Sequence, residues 1–129
     1  MKRDEAEIQK ACVNWFNAQY SKYADLLHHS PNGGKRNTKT VIRKGVPITY
    51  SPEAAKFKAM GTKAGFPDLF LYVPKGKYHG LAIEMKSEKG ATQKSQSKML
   101  LLLWDKGYST HICFSTKEFI EIINEYMSL

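Results

Sequence analysis

The segment GFPDLFLYVPKGKYHGLAIEMK (residues 65–86) contains two apolar runs separated by a turn that includes glycine. Runs of this length and composition predict two β-strands, and a turn centred on Gly76 pairs them as a hairpin. In that register Asp68 lies opposite Glu84. The register also predicts three further cross-strand pairs: Leu69 with Ile83, Phe70 with Ala82, and Leu71 with Leu81. The open end of this hairpin therefore carries charged residues.

These charges need a physical explanation, because an unpaired buried ion costs several kcal/mol or shifts its pKa and becomes neutral. Side chains alternate along a strand, so Glu84 and Lys86 share the face of Asp68. Directly opposed residues have Cβ atoms about 4.5–5.5 Å apart, so the two carboxylates repel one another unless a cation lies between them. A pair of acids that offers only oxygen suits Mg²⁺ or Mn²⁺.

Lys86 adds a group that hydrolysis of a phosphodiester needs. It can orient or help deprotonate a metal-bound water, and it can neutralise charge on the phosphate. The alternative interpretation is a surface salt bridge between Lys86 and Asp68 or Glu84 at the end of a hairpin. Pro-Asp followed later by Glu-x-Lys arises often by chance, so the residues alone leave both interpretations open.

The composition predicts one basic globular domain. The chain has 129 residues, 42% hydrophobic and 25% charged, which suits a single domain over residues 1–129. Twenty Lys and Arg against twelve Asp and Glu give a formal net charge of +8. The bases are spread through the chain, which indicates a surface for a polyanion such as nucleic acid. The alternative is a basic protein that its charge keeps soluble.

The sequence predicts a cytoplasmic chain without a membrane span. The longest apolar run, MLLLLW at 99–104, is far shorter than the roughly 20 residues that a span needs. The amino terminus is charged and lacks the apolar core of a signal peptide. Cys12 and Cys113 are too few for a disulfide framework, and the four histidines lack the spacing of zinc ligands.

Periodicity, capping residues and turn residues predict an α/β order of elements. In chain order these are a helix over 4–24, a loop over 30–38, a hairpin over 39–50, a short helix from Ser51 to about Gly61, strands over 69–73 and 81–86, a helix over 92–106, a strand over 109–114 and a last helix to about Met127. Asp4 is the predicted N-cap of the first helix, with Glu7 in its capping box. Ser115 and Glu118 form the predicted capping box of the last helix.

Several separated motifs resemble one family. The string GTKAGFPDLFLYVPKGKYHGLAIEMKSEKG (residues 61–90) resembles the VRR-NUC domain, the virus-type replication-repair nuclease branch of the PD-(D/E)xK superfamily. The opening EAEIQ with Trp15, the loop PNGGKR, and Gln96 followed by MLLLLWDKGY are similar to the same family. One departure is the segment 38–50, which is longer than in compact members and whose role stays open.

The resemblance implies a restriction-endonuclease-like α/β core of αβββαβ type, with a central mixed β-sheet flanked by helices. It also implies cleavage of DNA that depends on a divalent metal, Mg²⁺ or Mn²⁺. By position, Asp68 and Glu84 resemble the metal-binding acids, Lys86 the catalytic lysine, and the backbone carbonyl of Met85 a further ligand. The family's first-helix glutamate corresponds to Glu5, with Glu7 as the rival.

Further residues correspond to family positions near the site. Gln96 matches a family glutamine that positions the catalytic lysine or the phosphate. Without the resemblance, Gln96 would indicate only an ordinary solvated helix residue. Asn32, Gly33 and Gly34 would form a tight loop near the site. The expected nucleic-acid contacts are Asn32, Gly33, Lys35, Arg36 and Lys63. Without the family, the three loop residues would indicate only a turn.

The expected function is a structure-selective DNA endonuclease that acts on branched DNA, such as Holliday junctions or flaps, in replication, repair or recombination. The resemblance implies a homodimer or higher homo-oligomer. The cytoplasmic location expected from the amino terminus would be the host cytoplasm if the source is a virus. One alternative is a non-catalytic nucleic-acid-binding module that keeps the nuclease fold. Another is a metal-dependent hydrolase of a different phosphate ester, which the dispersed bases disfavour.

Overall fold

The computed structural model describes residues 4–31 and 38–129. The chain divides into two compact units. We call Met1–Ser30 with Gly65–Leu129 the core unit, and Pro31–Ala64 the inserted unit. The prediction of one domain over residues 1–129 stays a prediction.

The described residues form α-helices, one 3₁₀-helix and β-strands. In chain order these are α1 (Glu5–Gln19), the 3₁₀-helix (Ser21–Leu26), β1 (Leu27–His29), β2 (Lys39–Arg43), β3 (Val46–Tyr50), α2 (Pro52–Ala59), β4 (Leu69–Leu71), β5 (Leu81–Met85), α3 (Lys94–Asp105), β6 (Ser109–Cys113) and α4 (Thr116–Met127).

A four-stranded mixed sheet lies at the centre of the core unit. Its strand order is β1-β4-β5-β6, with β5 and β6 parallel and the other neighbours antiparallel. The predicted α/β fold with a mixed sheet flanked by helices is confirmed. Among the described residues, no helix has the length and apolar character that crossing a bilayer requires.

The β4–β5 hairpin has the predicted register. Leu69 pairs with Ile83, Phe70 with Ala82, and Leu71 with Leu81. The turn that fixes this register contains Gly76 at φ +55°, between Lys75 and Tyr78, which exchange two backbone hydrogen bonds. Because a shift of one residue would move the apolar side chains to the other face, the register also decides where the charges lie.

One face of the sheet forms the hydrophobic core with α1 and α4. The sheet contributes Leu69, Leu71, Leu81, Ile83, Met85 and Cys113. The helices contribute Ile8, Cys12, Phe16, Phe119, Ile123 and Tyr126. The opposite face carries Phe70, Ala82 and Glu84 under α3, because side chains alternate along each strand. The core therefore fixes the sheet from one side, and Glu84 lies on the opposite face, where α3 supplies its partner Gln96.

The amino-terminal helix is shorter than predicted. The α-helix ends at Gln19, and a 3₁₀-helix leads into the edge strand β1, which the sequence did not predict. The Tyr20 backbone leaves the helical region, with φ −122° and ψ 51°, and its hydroxyl donates to Asn124 Oδ1. Because β1 has one half-buried residue in three and pairs with a distant strand, local periodicity carries no signal for it.

The caps of the helices follow the sequence closely. Asp4 Oδ1 accepts from the backbone N–H of Glu7, and Ser115 Oγ accepts from that of Glu118. The Glu118 carboxylate accepts from the N–H of Phe114 at 2.8 Å, one residue before the cap. The starts of α1 and α4 are therefore held by side chains that satisfy backbone donors.

The inserted unit contains the predicted hairpin and short helix. Strands β2 and β3 pair antiparallel around Lys44 and Gly45, whose φ angles are +52° and +77°. Positive φ at both central residues is the geometry of a type I′ turn, which matches the twist of a two-stranded ribbon. Helix α2 begins after Ser51, whose Oγ accepts from the Ala54 N–H.

Candidate metal and catalytic centre

Three carboxylates from separate elements of the core unit meet at one end of the sheet. Glu5 is the first residue of α1, Asp68 precedes β4, and Glu84 lies on β5. One oxygen from each lies within 4.8 Å of the others. Glu7, the rival in the first helix, is exposed and is not in this group. The helix thus presents one of its two first-turn acids to the site.

The backbone around the hairpin holds Asp68 in place. Its Oδ2 accepts from the Met85 N–H at 2.9 Å, which extends the β4–β5 ladder through a side chain. Its carbonyl accepts from His29 Nδ1 at 2.8 Å and from the Ser30 N–H at 3.0 Å. Asp68 is therefore fixed from both neighbouring strands, β1 and β5.

Glu84 is the most enclosed acid of the three, with 1% of its surface exposed. Burial raises the pKa of Glu84 to about 8, and a hydrogen bond with Asp68 and the negative charge of Asp68 act in the same direction. The ammonium of Lys86 opposes the rise. Burial, followed by the charge of Asp68, also raises the pKa of Glu5. The cluster thus favours a bound proton or cation.

Lys86 and Glu84 are joined through the side chain of Gln96 on α3. Lys86 Nζ donates to Gln96 Oε1 at 2.8 Å, and Gln96 Nε2 donates to Glu84 Oε1 at 3.0 Å. The ammonium is 3.8 Å from the same carboxylate oxygen. The Gln93 N–H also donates to Gln96 Oε1, at 3.0 Å. The amide therefore has a fixed orientation, and it fixes the lysine.

The residues present fit a hard divalent cation. All three carboxylates offer oxygen, which suits Mg²⁺ or Mn²⁺ better than a soft metal. The N–H of Met85 points to Asp68, so its carbonyl points to the same edge of β5, because the two groups of one strand residue share a side. The backbone oxygen that the sequence analysis expected as a ligand thus belongs to the correct edge of the strand.

The expected nucleic-acid contacts all belong to the inserted unit. Lys63 is exposed and belongs to the inserted unit. Asn32, Gly33, Gly34, Lys35 and Arg36 lie outside the described residues. Sequence reasoning missed His29, because its contact with Asp68 depends on the unpredicted strand β1. No local sequence signal could have found it, because that short strand is positioned by its pairing with β4.

Residues 3–117 match the VRR-NUC domain. The chain therefore belongs to the VRR-NUC domain family, a family of nuclease type, as its motifs predicted. A solved structure described as a "VRR_NUC domain protein" is similar, with a TM-score of 0.78 and 30% sequence identity. The match covers 99% of this chain and 91% of that chain. No curated protein matches the sequence.

Proposed function

We propose that this protein is a DNA endonuclease that depends on a divalent metal, Mg²⁺ or Mn²⁺. The observation that carries the proposal is the arrangement of Glu5, Asp68 and Glu84, with oxygens within 4.8 Å of one another, beside the ammonium of Lys86. Like charges this close raise the free energy of the folded protein, unless a cation or a proton compensates for them. Membership of a nuclease-type family supports the same chemistry.

The side chains of the site would have different roles in phosphodiester hydrolysis. The three acids and the Met85 carbonyl would hold the metal ion. When bound, such an ion lowers the pKa of a water and stabilises the phosphoryl oxygens. Lys86 places a positive charge where negative charge grows on the phosphate. Gln96 bonds both the Lys86 ammonium and the Glu84 carboxylate, which holds the two groups at a fixed separation. The lysine would therefore be in position before the substrate binds.

We further propose that the substrate is branched DNA, such as a Holliday junction or a flap, and that the protein acts as a homodimer. The resemblance of the motifs to the family supports both proposals. Two active sites on two strands suit the resolution of a junction, because opposed strands must be cut together. Replication, repair or recombination would supply such substrates.

The test is a substrate panel of linear, nicked, flap and four-way DNA, with Mg²⁺ or with Mn²⁺, and a measurement of mass in solution. We expect branched DNA to be cut by the wild type, and all activity to be lost in Asp68→Asn, Glu84→Gln and Lys86→Ala. DNA binding should remain in the two acid variants, because they carry no expected phosphate contact.

Three results would contradict parts of the proposal. If the wild type and Lys86→Ala both leave every substrate intact with either metal, the protein is a binding module and not a nuclease. If Asp68→Asn loses DNA binding together with cleavage, the acid supports the fold or the DNA surface. A monomeric mass with full activity on junctions would remove the dimer from the proposal.

A further inference from the structure

The net charge of the chain is concentrated in the inserted unit. By sequence, Pro31–Ala64 contains eight Lys or Arg and one acid, a net charge of +7. The core unit contains twelve bases and eleven acids, which leaves +1 of the total of +8. Lys and Arg occur along the whole sequence, but the excess of positive over negative charge lies almost entirely in the inserted unit. A polyanion is therefore attracted mainly to this unit.

The ribbon β2–β3 combines bases and apolar side chains on exposed surface. Lys39, Arg43 and Lys44 are exposed, and none of them makes an ion pair with a residue in 4–31 or 38–129. Ile42 is 75% exposed and Val46 is 57% exposed. Large apolar side chains at this exposure near a basic turn indicate a partner that offers both charge and apolar surface.

Double-stranded DNA fits these features. The major groove is about 12 Å wide and admits a two-stranded β-ribbon, with phosphates at its rims and apolar thymine methyl groups at its floor. The type I′ turn at Lys44 and Gly45 gives the ribbon a narrow tip. A second copy of this chain is a poor occupant, because its own inserted unit carries the same charge and would repel it.

The chain enters and leaves the inserted unit from positions beside the acid cluster. Ser30, the last residue before it, donates its N–H to the carbonyl of Asp68 at 3.0 Å. Gly65, the first residue after it, lies so close to α3 that an added Cβ would be 2.4 Å from the carbonyl oxygen of Ser95. Ser95 is the residue before Gln96. The two ends of the inserted unit are therefore joined to core-unit residues that contact Asp68 and the start of α3.

We propose that the ribbon β2–β3 is the arm that binds duplex DNA. Lys39, Arg43 and Lys44 contact phosphates. Val46, which pairs with Arg43 and shares its face, lies against base edges in the groove, and Ile42, on the opposite face, lies against sugars. The inference depends on the proposed nuclease function only in its choice of DNA as the polyanion. It assigns a role to the segment 38–50, which the sequence analysis left open.

The test compares two triple variants of the whole protein that lose the same charge. The first replaces Lys39, Arg43 and Lys44 with Gln. The matched control replaces Lys10, Lys22 and Lys117, exposed bases of the core unit, with Gln. Fluorescence anisotropy with a labelled duplex and with a four-way junction, in EDTA at several salt concentrations, gives the affinity and its dependence on salt without cleavage.

We expect the ribbon variant to lose at least about tenfold in affinity near physiological salt, since phosphate contacts dominate binding. The slope of log K against log salt should fall by about 2.7, because each phosphate contact contributes about 0.9. The control should lose less than about threefold, with little change in slope. Ile42→Ser with Val46→Ser should weaken binding and leave the slope unchanged, because these residues displace no counterions.

Three results would overturn the inference: equal losses in the two triple variants, no loss in the ribbon variant, or a change of oligomeric mass in the ribbon variant alone. The last would show that the ribbon joins copies of the chain. The assay contains no metal, so a wild type without nuclease activity would leave the arm intact. A ribbon variant with unchanged binding would likewise leave the nuclease proposal intact.

Discussion

Gln96 connects the positive and the negative group of the site through a single amide. Its Oε1 accepts from Lys86 and its Nε2 donates to Glu84, so a change at this position releases both partners at once. The side chain does not need to contact DNA to affect the reaction. In the proposed reaction it would hold the ammonium in place, and we therefore propose Gln96 as a positioning residue.

We predict that Gln96→Ala lowers kcat by about 10- to 100-fold, as loss of a group that orients a catalytic residue commonly does. The DNA dissociation constant should change by less than about twofold, since no phosphate contact is removed. Ser97→Ala, an exposed neighbour on α3, is the control and should leave kcat unchanged. Single-turnover cleavage and anisotropy measure the two quantities, and a loss of affinity in Gln96→Ala without a loss of rate would contradict the positioning role.

Glu84 couples the stability of the metal-free protein to pH. The usual pKa of a glutamate is 4.5, and in the folded protein the pKa of Glu84 is about 8. Between these values the folded protein keeps the proton and the unfolded chain releases it. The stability that Glu84 contributes is therefore complete below about pH 4.5 and is lost as the pH rises toward 8.

We predict that the free energy of unfolding of the wild type, minus that of Glu84→Gln, falls by a few kcal/mol from pH 5 to pH 8 in EDTA, since each pKa unit corresponds to about 1.4 kcal/mol. The glutamine keeps the shape of the side chain and cannot titrate. Urea unfolding followed by tryptophan fluorescence measures both free energies. A difference that does not change with pH would mean that Glu84 has an ordinary pKa.

At the scale of elements, sequence patterns predicted the features that neighbouring residues determine, such as strand register and helix caps. The β4–β5 register follows from a short turn and two apolar faces, and Ser115 caps α4 through a residue three positions away. The bridge through Gln96 was not predictable from local patterns, because it depends on how α3 lies over β5. The contact of His29 with Asp68 depends on β1, whose position is likewise set by a distant partner.

The placement of α3 depends on a glycine with no space for a side chain. Gly65 has φ +84°, and an added Cβ would lie 2.4 Å from the carbonyl oxygen of Ser95. Gly76, in the same unit, has φ +55°, and among the residues that the structure describes its added Cβ would meet only Leu129, at 3.4 Å. The two positions share a left-handed backbone and differ in the space around them.

We predict that Gly76→Ala costs about 1–2 kcal/mol of stability, the cost of a left-handed conformation for an L-residue. Gly65→Ala should cost at least about 1 kcal/mol more, because the start of α3 must move. That movement displaces Gln96, so the activity of Gly65→Ala should also fall below that of Gly76→Ala. Urea unfolding and a cleavage assay measure these effects. Equal losses of stability and activity in the two variants would mean that the start of α3 can move without a loss of free energy.

At the scale of the whole molecule, charge and chemistry lie in different units. The core unit holds the acid cluster and is nearly neutral, whereas the inserted unit holds almost all of the net charge. Composition predicted a polyanion partner but not this division, because the division depends on which residues fold together. Three clustered acids in a nearly neutral unit favour a cation locally, and a unit with a net charge of +7 favours a polyanion.

A cation that binds the folded protein and not the unfolded chain must stabilise the whole molecule. At 100 times its dissociation constant the gain is about 2.7 kcal/mol, which raises the Tm of a domain of this size by roughly 10 °C. We predict this rise on addition of MgCl₂ or MnCl₂ to protein freed of metal with EDTA. Differential scanning fluorimetry measures it, and Asp68→Asn should remove most of it.

The two acids in the first turn of α1 provide a matched pair for the same measurement. Glu5→Gln should reduce the rise in Tm, because Glu5 offers an oxygen to the cluster, whereas Glu7→Gln should leave the rise unchanged, because Glu7 is exposed and outside it. Both variants remove one negative charge from the same helix end, so a general electrostatic effect would act equally on the two. If Glu7→Gln abolishes the metal-induced rise in Tm and Glu5→Gln does not, the first-helix ligand is Glu7. If the rise in Tm persists in every variant, the cation binds elsewhere.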